Sequence, residues 1–390
     1  MSLAAAKLVI LGCLLASLAV VDGRSPSRCR MSQMRKPDIV EGQVEIDTSP
    51  MKPFQWPAIS AFNSTAWENW HFDGVAQDGT SALAVTFSRG TRAPESRNGI
   101  LPIMLNAVWP NGTSFSKTLY AEHAMVEECV GATYGIWDGR GFESRFEVAR
   151  DSSQATILIN STDFDAELFL TSISKPRYAN GLVFPDAEGS VAVVPLIYRN
   201  EAIPAGRANA EMKIVGELFS FEGIGGSDRT WAPFPRETLS DHWWWTRAVT
   251  GPYTLGFWNF TSAIDNSTYV GAYLDEDGES IFRYHGNVAE TCSGDCVRMT
   301  LLNDDRSRLN RKGSDKSTGF RIELQSGTSG EQWEFEIQHS NIVFENVSPT
   351  NEYWQFANTA KGGAVGREMF RGAASSEQSM ATKKGTLPWE

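Results

Sequence analysis

The sequence predicts an all-β chain, and three observations carry that expectation. Short runs rich in β-branched and aromatic residues recur along the 390 residues, punctuated by Gly, Pro, Asn and Asp. No long segment shows an apolar stripe at the 3.6-residue spacing of a helix. One segment, Gln332 to Gln338, alternates cleanly: Trp333, Phe335 and Ile337 fall between Gln332, Glu334, Glu336 and Gln338. Such a strand has one apolar and one polar face, as in a sheet or a barrel wall.

The individual strands follow from the same signals. Ala82 to Ser88, Ile103 to Trp109, Ala155 to Asn160, Ala166 to Ile173 and Val191 to Tyr198 read as strands. Gly319 to Gln325 places Phe320, Ile322 and Leu324 on one face. The loop Ser326 to Gly330 then joins it to the Gln332 strand as a hairpin, which points Trp333 inward. Asp275-Glu276-Asp277-Gly278 resembles the start of a calcium loop, but the pattern does not continue and no helices flank it, so a hairpin turn is expected. Gly223-Ile224-Gly225-Gly226 precedes no apolar helix, which disfavours a phosphate cradle. Pro233-Phe234-Pro235 makes a stiff connector and marks a boundary between residues 24–235 and 236–373. Residues 374–390 are small and polar, and are expected to form a mobile tail.

Three features point to the secretory pathway. Lys7 followed by the apolar run Leu8 to Val21 and small residues to Gly23 reads as a signal peptide over residues 1–23. An uncleaved anchor is the alternative; the run is short for a membrane span, and no later stretch is long enough. Six Asn-x-Ser/Thr sequons occur, at Asn63, Asn111, Asn160, Asn259, Asn266 and Asn346. Beyond the leader lie four cysteines, Cys29, Cys129, Cys292 and Cys296, an even number that favours disulfides. Of the three possible pairings, Cys292–Cys296 with Cys29–Cys129 is preferred. A zinc site is the weaker alternative, because Cys-x3-Cys has no second close pair or His cluster beside it. The formal net charge is −12, which disfavours nucleic acid or an anionic membrane as partner.

Hydrolytic signatures are absent: there is no Gly-x-Ser-x-Gly and no His-Glu-x-x-His, and the five His residues do not take metal-site spacings. What stands out is the 13 Trp. In a strand, Glu68 shares a face with Trp70 and Phe72, while Trp67, Asn69, His71 and Asp73 share the other. Trp243, Trp245 and Arg247 also share a face. Each Trp is either core filling or a binding wall. Glu68 is either an ordinary surface acid or, if buried, a group that needs a partner or a raised pKa.

At these residues the sequence resembles the fungal Diels–Alderases. Ala66-Trp67-Glu68-Asn69-Trp70-His71-Phe72-Asp73-Gly74 is similar to their Ala-Trp-Glu-x-Trp-Tyr-Phe-Asp-Gly segment, with His71 in place of Tyr. Gly225-Gly226-Ser227-Asp228-Arg229-Thr230-Trp231-Ala232-Pro233 and Arg247-Ala248-Val249-Thr250-Gly251-Pro252-Tyr253 resemble two further segments, and Thr318 to Phe320 with Gly330 to Phe335 and His339 resembles their barrel strands. The matches keep their order over residues 54 to 345. The Lys that decalin formers can use after the last barrel strand has no counterpart in Asn346-Val347-Ser348-Pro349. The wider group includes relatives of bacterial carotenoid hydratases.

The resemblance implies an N-terminal β-sandwich, a C-terminal lipocalin-like barrel, a substrate pocket between them and no cofactor. It implies a [4+2] cyclase, Diels–Alder or hetero-Diels–Alder, of a fungal secondary-metabolite pathway. The compartment features tilt the substrate toward a quinone methide joined to a polyene terpene. Expected catalytic residues are Glu68, Arg247 and Tyr253; expected binding residues are Trp67, Trp70, His71, Trp245 and Trp333. Glu68, Trp70, Arg247 and Trp333 are expected to line the pocket together. Two other readings stay open: a hydratase or dehydratase of an apolar polyene working through Glu68, His71 and Asp73, and a non-catalytic carrier of an apolar ligand.

Overall fold

The computed structural model describes residues 29–36, 38–90, 99–214, 216–288, 294–303 and 309–382. The expected signal peptide therefore lies outside the described residues, as does Cys292. The strands in chain order are β1 (Arg30–Arg35), β2 (Trp67–Ala76), β3 (Ala82–Gly90), β4 (Pro102–Val108), β5 (Ser114–Tyr120), β6 (His123–Glu128), β7 (Ala132–Gly139), β8 (Phe142–Ala149), β9 (Gln154–Ser161), β10 (Phe164–Ser172), β11 (Arg177–Tyr178), β12 (Ala192–Val194), β13 (Ile197–Ile214) and β14 (Glu217–Ala232). After a single helical turn, α1 (Arg236–Leu239), come β15 (Ser240–Thr250), β16 (Tyr253–Ser262), β17 (Thr268–Glu276), β18 (Glu279–Asn287), β19 (Cys296–Leu302), β20 (Gly319–Gln325), β21 (Gln332–Val347), β22 (Asn351–Ala364) and β23 (Phe370–Ala381).

The chain is all-β, as the sequence predicts. The first domain is one continuous sheet in the order β1-β6-β7-β8-β9-β10-β13-β14-β2-β3-β4-β5, curled into a half-barrel, with β11 and β12 pairing onto β13. Curling lets the inner face close on itself around Trp70, Phe72, Phe87, Trp137 and Phe146. The second domain is a nearly closed barrel in the order β18-β17-β16-β15-β23-β22-β21-β20-β19. Its interior is filled by Leu255, Phe257, Phe320, Ile322, Phe335 and their neighbours.

Turn chemistry sets several joins. Asp277 and Gly278, at φ 51° and 81°, form the two-residue turn between β17 and β18; paired positive φ values suit the twist of a hairpin. The expected single strand Val191 to Tyr198 is broken. Val194 pairs with Ile197 across Pro195 and Leu196, and Leu196 sits at φ 67°. A proline followed by a left-handed residue reverses the chain there.

The expected tail is also corrected. β23 runs through Ala381, hydrogen-bonded to β15 on one side and β22 on the other. Residues 374–381 are thus the middle of the barrel wall; only 383–390 fall outside the described residues at this end. Small side chains are needed here because both faces of this strand are packed, one by the barrel interior and one by the first domain. The two domains meet where β2 packs on β23, β13 on β15 and β21 on β4.

Candidate active site

β2 decides what each residue of its motif does. The strand is buried along its whole length, and its two faces point to different places. Trp70 and Phe72 enter the first domain's core. Asn69 and His71 face the barrel and line an open cleft between the domains. The barrel answers with the outer face of β15. Trp244 and Ala248 point into the barrel core, whereas Trp243 and Trp245 line the cleft. The shared face of Trp243, Trp245 and Arg247 read from the sequence is thus the face turned toward the first domain.

The cleft wall is aromatic on the barrel side. Trp243 and Phe260 stack with ring centroids 5.2 Å apart and planes 7° off parallel. Trp245 lies between two cations: the Arg199 guanidinium is 4.6 Å from its ring and that of Arg247 is 5.0 Å from it. Beside Trp245 on the same wall, at its cross-strand neighbour Glu377, begins a polar chain that crosses the domain boundary. His71 Nδ1 is 2.9 Å from Thr86 Oγ1, and Nε2 is 3.6 Å from Glu377 Oε1. Gln355 Nε2 donates to Glu377 Oε1 at 2.8 Å, and Asn106 Nδ2 donates to Gln355 Oε1 at 3.3 Å. Asn106, His71 and Thr86 come from the first domain, Gln355 and Glu377 from the barrel. An acid–base pair held at both ends and open to an aromatic cleft can donate to, or take a proton from, a polar group on a bound molecule.

Glu377 is the residue that sequence reasoning missed. It sits in Ala373-Ala374-Ser375-Ser376-Glu377-Gln378-Ser379, a stretch without β-branched residues and so without a strand signal. Its one mark is a lone acid amid small residues.

The other expected site residues are dispersed. Glu68 is fully buried, but on the core side. Its Oε2 accepts hydrogen bonds from Ala58 N and Arg229 Nη2, both at 3.0 Å, and Oε1 lies 3.6 Å from Arg89. Arg229 in turn donates to the Phe54 and Trp56 carbonyls. Glu68 therefore clamps the 54–58 loop onto the sheet and does not line the cleft. Burial lowers the pKa of both Arg89 and Arg229, and the Glu68 charge opposes that fall. Trp70 donates from Nε1 to Gln55 O at 3.1 Å within the core. Trp67 donates to Phe234 O at 2.8 Å and packs under Arg236.

Arg247 crosses from the barrel to the first domain. Its Nη1 pairs with Asp73 and its Nε donates to Pro204 O, all of it buried. Desolvation works against its charge, but Asp73, Glu201 and Asp228 outweigh it and raise its pKa. Gly226 is required beneath it, since a Cβ there would lie 2.4 Å from the Arg247 Cζ. Tyr253 and Trp333 are in the barrel core: Tyr253 meets Phe335 and Phe370, and Trp333 meets Phe282. Trp333 points inward as expected but reaches no interdomain surface. Of the four residues expected to line one pocket, none is among those lining the cleft. Of the wider set, His71 and Trp245 line it.

Cys29 and Cys129 form a disulfide that ties the start of β1 to the end of β6. Cys296 is also disulfide-bonded, and the expected partner Cys292 lies outside the described residues. Among the described residues no group of three or more His, Cys, Asp and Glu could hold a metal ion, and no helix is long and apolar enough to cross a membrane.

This architecture has known counterparts. A family model described as Diels-Alderase-like matches residues 26–381. Diels-Alderase phmD of Phaeosphaeria nodorum is 32% identical over 342 residues, covering 87% of this chain and 95% of that protein. Diels-Alderase ffsF of Aspergillus flavipes is 32% identical over 343 residues, covering 87% and 83%. The crystal structure of CghA with Sch210972 superposes with a TM-score of 0.76 at 23% identity, over 90% of this chain and 99% of that one, and shares the fold. With an all-β half-barrel and barrel meeting at an aromatic cleft, and with this match over nearly its whole length, the chain belongs to the fungal Diels–Alderase family.

Proposed function

We propose that this protein catalyses a [4+2] cycloaddition in the cleft between its two domains, with a conjugated polyene as the substrate skeleton. The supporting observation is the meeting in one cleft of a flat aromatic wall, Trp243 stacked on Phe260, with the polar pair formed by His71 of the first domain and Glu377 of the barrel. The aromatic wall can hold diene and dienophile face to face, which converts an unlikely encounter into a near-attack geometry. A wall of this kind binds ground and transition states alike, so acceleration needs a directed polar group. His71, fixed through Thr86, supplies a donor for the dienophile or heterodiene oxygen, where charge develops.

The test is direct. Product formed from the linear polyene with the protein present should appear faster, and with one stereoisomer in excess, relative to buffer alone. Equal rates and equal isomer ratios would defeat the proposal and favour a carrier. Incorporation of solvent oxygen, or a mass change of one water, would favour the hydratase reading instead.

The finer reading, a quinone methide coupled to a polyene terpene, rests on the secretory features. The Cys29–Cys129 disulfide supports an oxidising compartment. Within it, glycans are proposed at Asn111, Asn160, Asn266 and Asn346, whose side chains are exposed. Asn63 and Asn259 are less suited. The Asn63 amide donates to Gly42 O at 2.8 Å while its oxygen accepts from Thr65 and Ala66, and the Asn259 oxygen is buried.

A further inference from the structure

The polar chain that starts at Glu377 runs out of the cleft to an edge of the first sheet. Gln355 Nε2 donates to Glu377 Oε1 at 2.8 Å, and Asn106 Nδ2 donates across the domain boundary to Gln355 Oε1 at 3.3 Å. Asn106 Oδ1 in turn accepts from the Ser116 hydroxyl at 2.7 Å; Ser116 is exposed on β5, an edge strand. The oxygen of Glu377 that Gln355 holds, Oε1, is also the one 3.6 Å from His71 Nε2. Asn106 and Gln355 are both buried, and Asn106 is not among the residues that line the cleft.

The direction of every bond in this chain follows from its last member. An ionised carboxylate only accepts, so Gln355 has to turn its amide nitrogen to Glu377 and its oxygen to Asn106. Asn106 then has to present its own nitrogen, which leaves its oxygen for the Ser116 hydroxyl. A buried chain satisfied in one direction locks the side chain on which it ends. The backbone that carries it is fixed as well. Asn341 Nδ2 on β21 donates to Thr80 O at 2.8 Å and to Trp109 O at 3.3 Å, just before β3 and just after β4. Between β2 and β3, Gly79 at φ 73° sits so close to β22 that a Cβ there would lie 2.3 Å from Asn358 O. The strand of Asn106 is thus held in place over the strand of Gln355.

We propose that Asn106 is a positioning residue for the His71–Glu377 pair: acting through Gln355, it holds Glu377 Oε1 toward His71 when the two domains are docked. The proposal rests on the pair acting in the cleft. It adds that the geometry of the pair is set from both domains at once. Turnover is thereby tied to docking through a residue outside the cleft lining.

The experiment measures kcat and KM of the whole protein on a linear decatrienone, in which a conjugated diene is tethered to an enone. Wild type, Asn106→Asp, Gln355→Met and the double variant are compared per folded molecule, with melting as the check. Asn106→Asp keeps the shape but replaces the donor toward Gln355 by an acceptor. Gln355 then has to turn its oxygen toward Glu377, which drives the carboxylate from its place. Gln355→Met keeps the length and removes the donor outright. Each single variant should lose about tenfold or more in kcat while KM changes by less than about twofold, because misplacing an acting group falls on the rate. The double variant should be no worse than either, since both interrupt one chain. Where the added charge of Asn106→Asp lowers the folded yield, Asn106→Leu reads the same link without it. An unchanged kcat in either single variant, losses in KM alone, or additive losses in the double variant overturn the positioning role and leave the cleft reading standing. A wild type that does not accelerate the cyclisation over buffer fails the cleft reading, and the positioning role falls with it.

Discussion

Arg247 on β15 and Asp73 on β2 form a buried ion pair that joins the barrel to the first domain. Both residues belong to segments that resemble the family's motifs, and their partnership explains why those segments occur together. The pair pins two domains at one point beside the cleft, and Gly226 leaves the space for it. Arg247→Met keeps much of the apolar stem but strands Asp73. It should cost about 3–5 kcal/mol of stability. Adding Asp73→Asn should restore much of that loss, because no unpaired charge remains. Urea unfolding of the two single variants and the double variant checks this. Additive losses would show that the pair is not coupled.

Glu68 gives the opposite lesson to the one its motif suggests. Glu68→Gln leaves Arg89 and Arg229 sharing a neutral partner in a buried site. It should lower stability by about 3 kcal/mol or more. The product's stereoisomer ratio should stay that of the wild type, since Glu68 is on the core side of β2. Rate and isomer ratio measured per folded molecule separate these effects. A changed ratio at unchanged stability would return Glu68 to the chemistry.

The sequence made much of this legible, and the limits have physical causes. The alternation at Gln332 to Gln338 is plain because one face of β21 there meets the core and the other is partly exposed. β15 was legible as a pattern of faces, and Trp243, Trp245 and Arg247 do share one. β2 was not. All ten of its residues are buried, so polarity does not tell which face is core and which lines the cleft. The pattern therefore does not reveal that Glu68 turns toward Arg89 and Arg229 while His71 turns toward the cleft. β23 was hidden for a related reason: a strand packed on both sides by bulky neighbours is built from Ala, Ser and Gly, the composition of a tail.

His339 makes stability depend on pH. It is fully enclosed in the barrel, its ring stacks on Phe356 at 3.8 Å, and Nδ1 is 2.8 Å from Asn358 Oδ1. Burial is the main cause that lowers its pKa to about 4. Below the unfolded value near 6.5 the unfolded chain binds a proton that the folded chain refuses. The contribution is therefore complete above about pH 6.5 and is lost as pH falls toward 4, a difference on the order of 3 kcal/mol. His339→Gln should flatten the stability curve across that window. Unfolding midpoints at several pH values decide it, and an unchanged slope would mean that His339 is protonated in the fold.

The final test concerns the pair that faces the cleft. His71 and Glu377 come from different domains, so either docking or chemistry could account for them, and the two accounts differ in what they predict. Both side chains are largely buried where they line the cleft, 9% and 14% exposed, but Gln355 still donates to Glu377 when His71 is replaced, so the acid is not left without a partner. Glu377→Gln retains the shape and can keep an oxygen for Gln355. It should change stability by no more than about 1 kcal/mol. If the pair directs a proton or a hydrogen bond at the reacting oxygen, turnover should fall by about 10²-fold or more, with substrate affinity altered much less. His71→Phe should do the same. The double variant should be little worse than either single one, because removing one member of a unit already removes its function. Single-turnover rates and binding measured separately make the distinction. Parallel losses of affinity and rate would assign the pair to substrate binding or domain docking. An unchanged rate and isomer ratio in both single variants would remove it from the mechanism and leave the aromatic wall to act with the other polar residues of the cleft, Arg199 and Asp228 among them.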